Sequence, residues 1–372
     1  MIAVGILVVA IWVYLIAFHG SFWRSGPELL AAATIPAFPR VDIVVPARDE
    51  AETIVPVLTS LLAQDYPGPF RVVLVDDNSG DGTGDLARGI GGPRLTVVPG
   101  ATRPAGWSGK LWAVQQGIDQ CPDAEWILLT DADIVHDPSH LRMLASHAIA
   151  ENLDMASEMV ALNCVSWAER ALIPAFVFFF QLLYPFARAN DRRSRLAAAA
   201  GGTILIRRSA LDRIDGMRTI ASALIDDVAL AQAVKPGGGI WIGHTKRAVS
   251  IRPYPHAADI WRMIARTAYV QLCYSPALLA GCLAGMCLVW LAPPTIAILG
   301  DGLVRWMGLA AWIASAAAYL PTLRRYGRNL AWSLSLPAIA IFYMAATCGS
   351  AVDRHFGRGV AWKGRAYQES GV

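Results

Sequence analysis

Three clusters of carboxylates stand at separate points of the chain: Asp76-Asp77-Asn78-Ser79, Asp131-Ala132-Asp133 and Asp226-Asp227. The first follows the apolar run Val72-Val73-Leu74-Val75, and the second follows Trp126-Ile127-Leu128-Leu129-Thr130. Runs of this kind make buried parallel strands, so both sets of acids are expected at strand C-termini, the edge of an open α/β sheet where ligands bind. Acids gathered at one edge repel one another unless a cation or a hydrogen-bonding ligand compensates them. A divalent metal holding a phosphorylated substrate meets that requirement and points to chemistry on a nucleotide or sugar phosphate. If Asp131-Ala132-Asp133 is extended, its i and i+2 side chains share a face and can meet one cation. Between the first two clusters, Gly106-Trp107-Ser108-Gly109-Lys110-Leu111-Trp112-Ala113 places a lysine after a glycine turn. That lysine can reach a phosphate as a point charge or simply be solvated.

The elements that must position these groups begin with a strand over Val41–Pro46, followed by a helix opening at Ala47 and ending near Gln64. Arg71–Val75 is the second strand, and Asp76 to Thr83 is rich in turn formers. Its side chains can accept from a base N–H or a ribose hydroxyl, or merely cap the next helix. Gly80, Gly82 and Gly84 are spaced G-x-G-x-G, one residue short of the dinucleotide fingerprint, and the adjacent acids would repel a pyrophosphate there. A nicotinamide-binding fold is therefore disfavoured. The six cysteines include no C-x-x-C pair, so neither a disulfide framework nor a zinc site is indicated. His244 and His256 read as ordinary hydrogen-bonded histidines.

Hydrophobic residues make up 55% of the 372 residues and charged residues only 16%, against roughly 25% charged in soluble domains, so a membrane protein is implied. A net charge of +3 with no basic run interleaved with aromatics argues against nucleic acid as a partner. Met1–Phe18 is apolar and about 27 Å long as a helix, enough to span, with neither a basic region before it nor a cleavage site after it. It reads as a retained anchor. Pro276–Leu299, Leu303–Leu320 and Leu330–Ala351 are further spans. The loop Arg324-Arg325-Tyr326-Gly327-Arg328 is expected in the cytoplasm by the positive-inside rule. A third C-terminal span would then leave Arg354, Arg358, Lys363 and Arg365 outside, so one candidate is re-entrant or Pro293-Pro294 marks a break. Ala171 to Phe186, followed by Arg188, Arg192, Arg193 and Arg195, reads as an interfacial helix meeting anionic lipid, or else as a buried core helix.

Jointly, Val45-Pro46-Ala47-Arg48-Asp49-Glu50, Val75 to Thr83, Gly109-Lys110, Thr130 to Asp133, Gly201-Gly202-Thr203 with Arg207-Arg208, and Asp226-Asp227 resemble the family 2 glycosyltransferases of the GT-A type, from about Val41 to Tyr269. The resemblance implies an α/β fold, a GT-A nucleotide-sugar domain with a mostly parallel sheet, plus N-terminal and C-terminal transmembrane helices. It implies that Asp77 contacts the uracil, that Asp131 and Asp133 hold the ribose and the metal–diphosphate, with Mg²⁺ or Mn²⁺ as the ion, and that Asp227 is the general base. Pro46, Asp49, Ser79, Lys110 and Arg266 would complete the donor side, and Gly202, Asp226, Trp261 and Arg262 the acceptor side. Gly106 to Ala113, Trp261 to Tyr269 and Trp362 to Tyr367 look most like the hopanoid-associated membrane glycosyltransferases, which are similar to ceramide and carotenoid glucosyltransferases. Where many relatives carry Q/R-x-x-R-W, this chain has Met263-Ile264-Ala265-Arg266-Thr267. Arg266 is kept and the tryptophan is missing, which weighs against a processive polysaccharide synthase.

The expected organisation is an anchor over residues 1–20, the transferase domain over 38–270, about three spans over 273–352 and a basic tail over 353–372. The expected activity is inverting transfer from a UDP-linked sugar to a lipid hydroxyl, with a hopanoid as leading acceptor, by a multi-pass protein of the cytoplasmic membrane whose catalytic domain faces the cytoplasm. The partners are the nucleotide sugar, the lipid acceptor and the bilayer. A polyprenyl-phosphate sugar transferase and a non-catalytic sugar-nucleotide sensor are the alternatives.

Overall fold

The computed structural model describes residues 1–356 and the two short antiparallel strands Ala361–Trp362 and Arg365–Ala366. The described residues form two compact units, one of residues 27–163 and 188–253 and the other of residues 1–26, 164–187 and 254–356. Apart from Arg354 and the Arg365 backbone, the basic residues expected in the tail, Arg358 and Lys363, lie outside the described residues.

The first unit is built on one eight-stranded sheet. Its strands are β1 (Val41–Ala47), β2 (Phe70–Asp76), β3 (Leu95–Pro99), β4 (Trp126–Thr130), β5 (Ile134–His136), β6 (Leu153–Ala161), β7 (Thr203–Arg207) and β8 (Gly239–Ser250). Their order is β3-β2-β1-β4-β7-β6-β8-β5. The pairs β2/β3, β1/β2, β1/β4 and β6/β8 are parallel, whereas β4/β7, β6/β7 and β5/β8 are antiparallel. The sheet is thus mixed and mostly parallel. Helices cover both faces, which is why β1 and β2 are apolar without alternation. Val41, Ile43, Val45, Val72 and Leu74 enter one core, while Val44, Val73 and Val75 enter the other. The helix Gly109–Asp119 lies so close to the second face that a Cβ on Gly117 would stand 2.4 Å from Val44 Cγ1.

Because β1, β2 and β4 are parallel neighbours, their C-terminal ends share one edge of the sheet. Asp76-Asp77 and Asp131 lie there, as the apolar runs predict. The helix expected from Ala47 begins only at Ile54 and runs to Leu62. Asp49 takes the left-handed conformation, with φ 50°, and residues 48–53 are spent in crossing toward the β2 loop.

In the second unit three helices, Pro276–Leu299, Gly302–Arg325 and Leu330–His355, are long and apolar enough to cross a membrane. The helix Ile2–Phe18 is shorter, at 17 residues. Pro293-Pro294 does not divide the first span; it follows a π-helical turn, Cys287–Leu291, within a continuous helix. Pro293 has no N–H to donate to Val289 O four residues earlier, and Trp12 Nε1 of the N-terminal helix donates to that carbonyl at 3.1 Å. Trp12 is itself buried and packs edge-on against Trp290.

Two helices expected in the transferase domain belong to this unit, Trp167–Leu183 and Ala257–Gln271. The compact units divide near residue 253, within the stretch 38–270 expected for the transferase domain, and residues 164–187 fall in the second unit. The physical reason is burial. Ten of the 17 residues of Trp167–Leu183 are buried, and Phe178 and Phe179 pack against Trp290, Tyr319 and Tyr343. A buried helix, not a free interfacial one, is what that apolar stretch forms. All six cysteines are free.

Candidate active site

Lys110 stands in the first turn of the helix Gly109–Asp119, whose start is set by Ser108: its hydroxyl accepts from Leu111 N–H and its own N–H donates to Ala221 O. From there the ammonium lies 3.0 Å from Asp131 Oδ1 and 3.0 Å from Asp226 Oδ2, joining two of the acidic clusters. Asp131 follows β4 directly. Asp226 and Asp227 are the first two residues of the helix Asp226–Val234, where the free N–H groups and the helix dipole favour negative charge. These groups line a pocket floored by Pro46, Leu111, Leu129 and Leu230.

Asp227 is held at both oxygens: Val228 N–H donates to Oδ1 at 2.8 Å and Gly201 N–H to Oδ2 at 2.9 Å. Burial pushes its pKa up to about 7, and the charge of Asp226 adds to the rise, against the lowering effect of these N–H groups and Lys110. Burial also raises Asp131, with Asp133 and Asp226 pushing the same way and Lys110 opposing them. Lys110 is held firmly protonated by Asp131 and Asp226 despite its burial.

Asp131-Ala132-Asp133 lies in a turn between β4 and β5, not in an extended segment. Asp131 turns to Lys110. Asp133 Oδ2 accepts from Ser250 Oγ and from Arg252 Nε, both at 3.0 Å, and Arg252 reaches on to Glu50 Oε1 at 2.6 Å. Thr53 Oγ1 donates to Ala132 O, pinning the middle of the turn. Among the described residues no three His, Cys, Asp or Glu side chains are grouped as a ready-made metal cage. Four acids, Asp131, Asp133, Asp226 and Asp227, nevertheless share this region with two cations, Lys110 and Arg252. That donor set fits a divalent ion that takes one or two carboxylates and completes its shell with diphosphate oxygens and water.

The β1 and β2 loops are braced against each other. Asp49 N–H donates to Ser79 Oγ at 3.0 Å, Gly80 N–H to Asp49 Oδ1 at 2.8 Å, and Glu50 N–H to Thr83 Oγ1 at 2.8 Å. Asp77 is fully buried at the end of β2, with Arg48 Nη1 donating to its carbonyl. Gly202 lies against Val160, and its carbonyl accepts from Thr130 Oγ1. Trp261, Arg262 and Arg266 lie on the helix Ala257–Gln271 of the other unit. There Trp261 packs on Phe342, Arg262 pairs with Asp259, and Arg266 is exposed with no ion-pair partner among the described residues.

Sequence reasoning did not single out Arg252, Ser250 or the Gly201 N–H as site groups. Their partners are distant in sequence, and a backbone donor has no side-chain signature; only the paired glycines 201 and 202 hinted at a close approach.

The family model described as glycosyl transferase family 2 matches residues 42–215, ending before Asp226-Asp227. An N-acetylglucosaminyltransferase of Azorhizobium caulinodans is 30% identical over 149 residues, 38% of this chain and 36% of that protein. The succinoglycan biosynthesis protein ExoO of Rhizobium meliloti is 33% identical over 151 residues, 37% of this chain and 40% of that protein. The chain thus matches well under half the length of these curated relatives. The mannosyltransferase PcManGT from Pyrobaculum calidifontis, solved in complex with GDP-Man and Mn²⁺, shares the fold with a TM-score of 0.58. The match is 22% identical and covers 96% of this chain and 99% of that one.

Proposed function

Since the chain carries a family 2 glycosyltransferase domain of GT-A fold, we propose that it transfers a sugar from a UDP-linked donor to a hydroxyl of a membrane lipid, with inversion. The observation that carries this reading is the pocket in which Lys110 joins Asp131 to Asp226 beside a doubly held Asp227. Asp227 accepts the acceptor's hydroxyl proton as that oxygen attacks the anomeric carbon. Gly201 and Val228 hold its carboxylate in place through their N–H groups. Asp77 and the braced Asp49–Ser79 loops recognise the uridine, while Asp131 faces the ribose and Lys110 turns its charge to the diphosphate. Asp131 and Asp133 would hold Mg²⁺ or Mn²⁺, which when bound neutralises the departing diphosphate. PcManGT's own complex contains Mn²⁺, in keeping with this.

The three long apolar helices favour a lipid acceptor. The stretches Gly106–Ala113 and Trp261–Tyr269 favour a hopanoid among such lipids, and Arg324, Arg325 and Arg328 favour a catalytic unit on the cytoplasmic side of the cytoplasmic membrane. Gly202 and Asp226 are proposed to line the acceptor approach.

The test is incubation of the purified protein with UDP- and GDP-linked sugars and extracted membrane lipids, followed by mass analysis. A glycosylated neutral lipid formed from a UDP sugar is the expected product. Product only on a polyprenyl phosphate, whose acceptor oxygen needs no base, would replace this reading, and nucleotide-sugar binding without any product would favour a sensor.

A further inference from the structure

Beneath Asp131 lies a row of polar side chains for which the proposed chemistry has no direct use. Thr130 Oγ1 is 2.9 Å from His136 Nε2, His136 Nδ1 is 3.0 Å from His140 Nδ1, and His140 Nε2 is 2.8 Å from Glu158 Oε2. Each is at least 97% buried. Buried polar groups of this kind are costly unless every donor meets an acceptor, which makes the protons countable.

The count begins at Gly202 O, which can only accept and lies 2.9 Å from Thr130 Oγ1. The single hydroxyl proton of Thr130 is therefore committed to Gly202. His136 Nε2, facing the same oxygen, must carry a proton and donate to it. A neutral His136 protonated there has a bare Nδ1, so His140 Nδ1 supplies the proton of that contact. His140 Nε2 and Glu158 then share one further proton, and the pair is neutral overall. Burial and the neighbouring His140 keep His136 well below its usual pKa, in agreement with a neutral ring. The chain runs in one direction, from Glu158 to the Gly202 carbonyl.

Gly202 is joined to Gly201, whose N–H holds Asp227 Oδ2. We propose that His136, His140 and Glu158 are positioning residues, which through Thr130 fix the Gly201-Gly202 loop and so aim the Asp227 carboxylate. The proposal rests on the reading of Asp227 as the base, but the chain itself can be tested without turnover.

In the full-length protein in nanodiscs, ¹⁵N histidine spectra should show His136 protonated on Nε2 alone; a proton on its Nδ1 instead overturns the directed chain, whether or not a lipid product has been found. Kinetics then test its purpose. Thr130→Val, which keeps shape and loses only the hydroxyl, and His136→Phe should each lower kcat about tenfold with UDP affinity by calorimetry unchanged. The double variant should be no worse than either single one, because both cut the same route. His136→Gln, whose amide can donate to Thr130, should recover most of the loss. Normal kcat in Thr130→Val and His136→Phe, additive losses, or a parallel loss of UDP affinity marking general loosening would each overturn the positioning role.

Discussion

Lys110 is one positive charge serving two carboxylates, and this decides what its loss should do. Lys110→Met leaves Asp131 and Asp226 facing each other uncompensated and removes a charge that lowers the pKa of Asp227. Donor affinity should fall, and the acidic limb of the kcat/KM profile should move to higher pH than in the wild type, with Lys110→Arg restoring most of both. Asp227 must be ionised to accept a proton, so wild-type kcat/KM should fall as pH drops below about 7. The same shift acts on stability with the opposite sign. A carboxyl raised from 3.8 to about 7 binds its proton more tightly in the folded state, so its contribution to stability is present at low pH and is lost as pH rises toward and through 7. Asp227→Asn keeps the shape and should lower turnover by about 10²- to 10⁴-fold with a smaller change in donor binding. Asp226→Asn should do less. If the two acids only cap their helix, both variants would lose about 1 kcal/mol of stability and keep turnover, which thermal melts and initial rates separate.

At the scale of elements, the Asp131-Ala132-Asp133 turn is held from three sides, by Lys110, by Thr53 on Ala132 O, and by Ser250 and Arg252 on Asp133. One oxygen of Asp133 is thereby committed to β8 and its continuation. Arg252→Met removes the cation that competes for that carboxylate and should lower the Mn²⁺ concentration needed for half-maximal UDP binding, while metal-free UDP binding measured by calorimetry stays near the wild-type value. Unchanged metal dependence would mean that the ion does not use Asp133. The helix carrying Lys110 depends on close contact with the sheet at Gly117. Gly117→Ala should cost about 1–3 kcal/mol through overpacking against Val44, measured by denaturant titration, and should weaken donor binding along with it as Lys110 shifts.

At the scale of the whole molecule, the unit holding the three long apolar helices also holds the N-terminal helix, through the Trp12 bond to Val289 O and the Trp12–Trp290 contact. The protein should remain with membranes after carbonate extraction, and deletion of Met1–Phe18 should not release it, because the C-terminal helices still anchor it. That deletion, like Trp12→Phe, leaves Val289 O without its indole donor at the proline. Trp12→Phe should lower the melting temperature in detergent by an amount matching about 1–3 kcal/mol for the lost hydrogen bond, and the deletion, which also removes the packing of Val8, Trp12 and Leu15, should lower it further. Release of intact protein by high salt would contradict the membrane assignment.

Features that depend on near neighbours along the chain are legible before any fold is known. Apolar runs of five or so residues with acids at their ends dictated that Asp76-Asp77 and Asp131 stand on one sheet edge, and mean hydropathy over two dozen residues dictated the long helices. Contacts between partners far apart in sequence emerge only on folding. Asp133 meets Arg252 across 119 residues, Gly201 N–H meets Asp227 across 26, and Glu158 reaches Gly202 only through two histidines and a threonine. The apolar helix Trp167–Leu183 carries the same pattern whether it lies on headgroups or packs on Tyr319 and Tyr343, which are more than a hundred residues away. Likewise the Asp131–Asp133 spacing has one meaning in a strand, where i and i+2 share a face, and another in a turn. Periodicity sets the direction of a side chain only after the backbone conformation is known, and here β4 loses its pairing with β1 after Leu129 and with β7 after Thr130, where the chain turns.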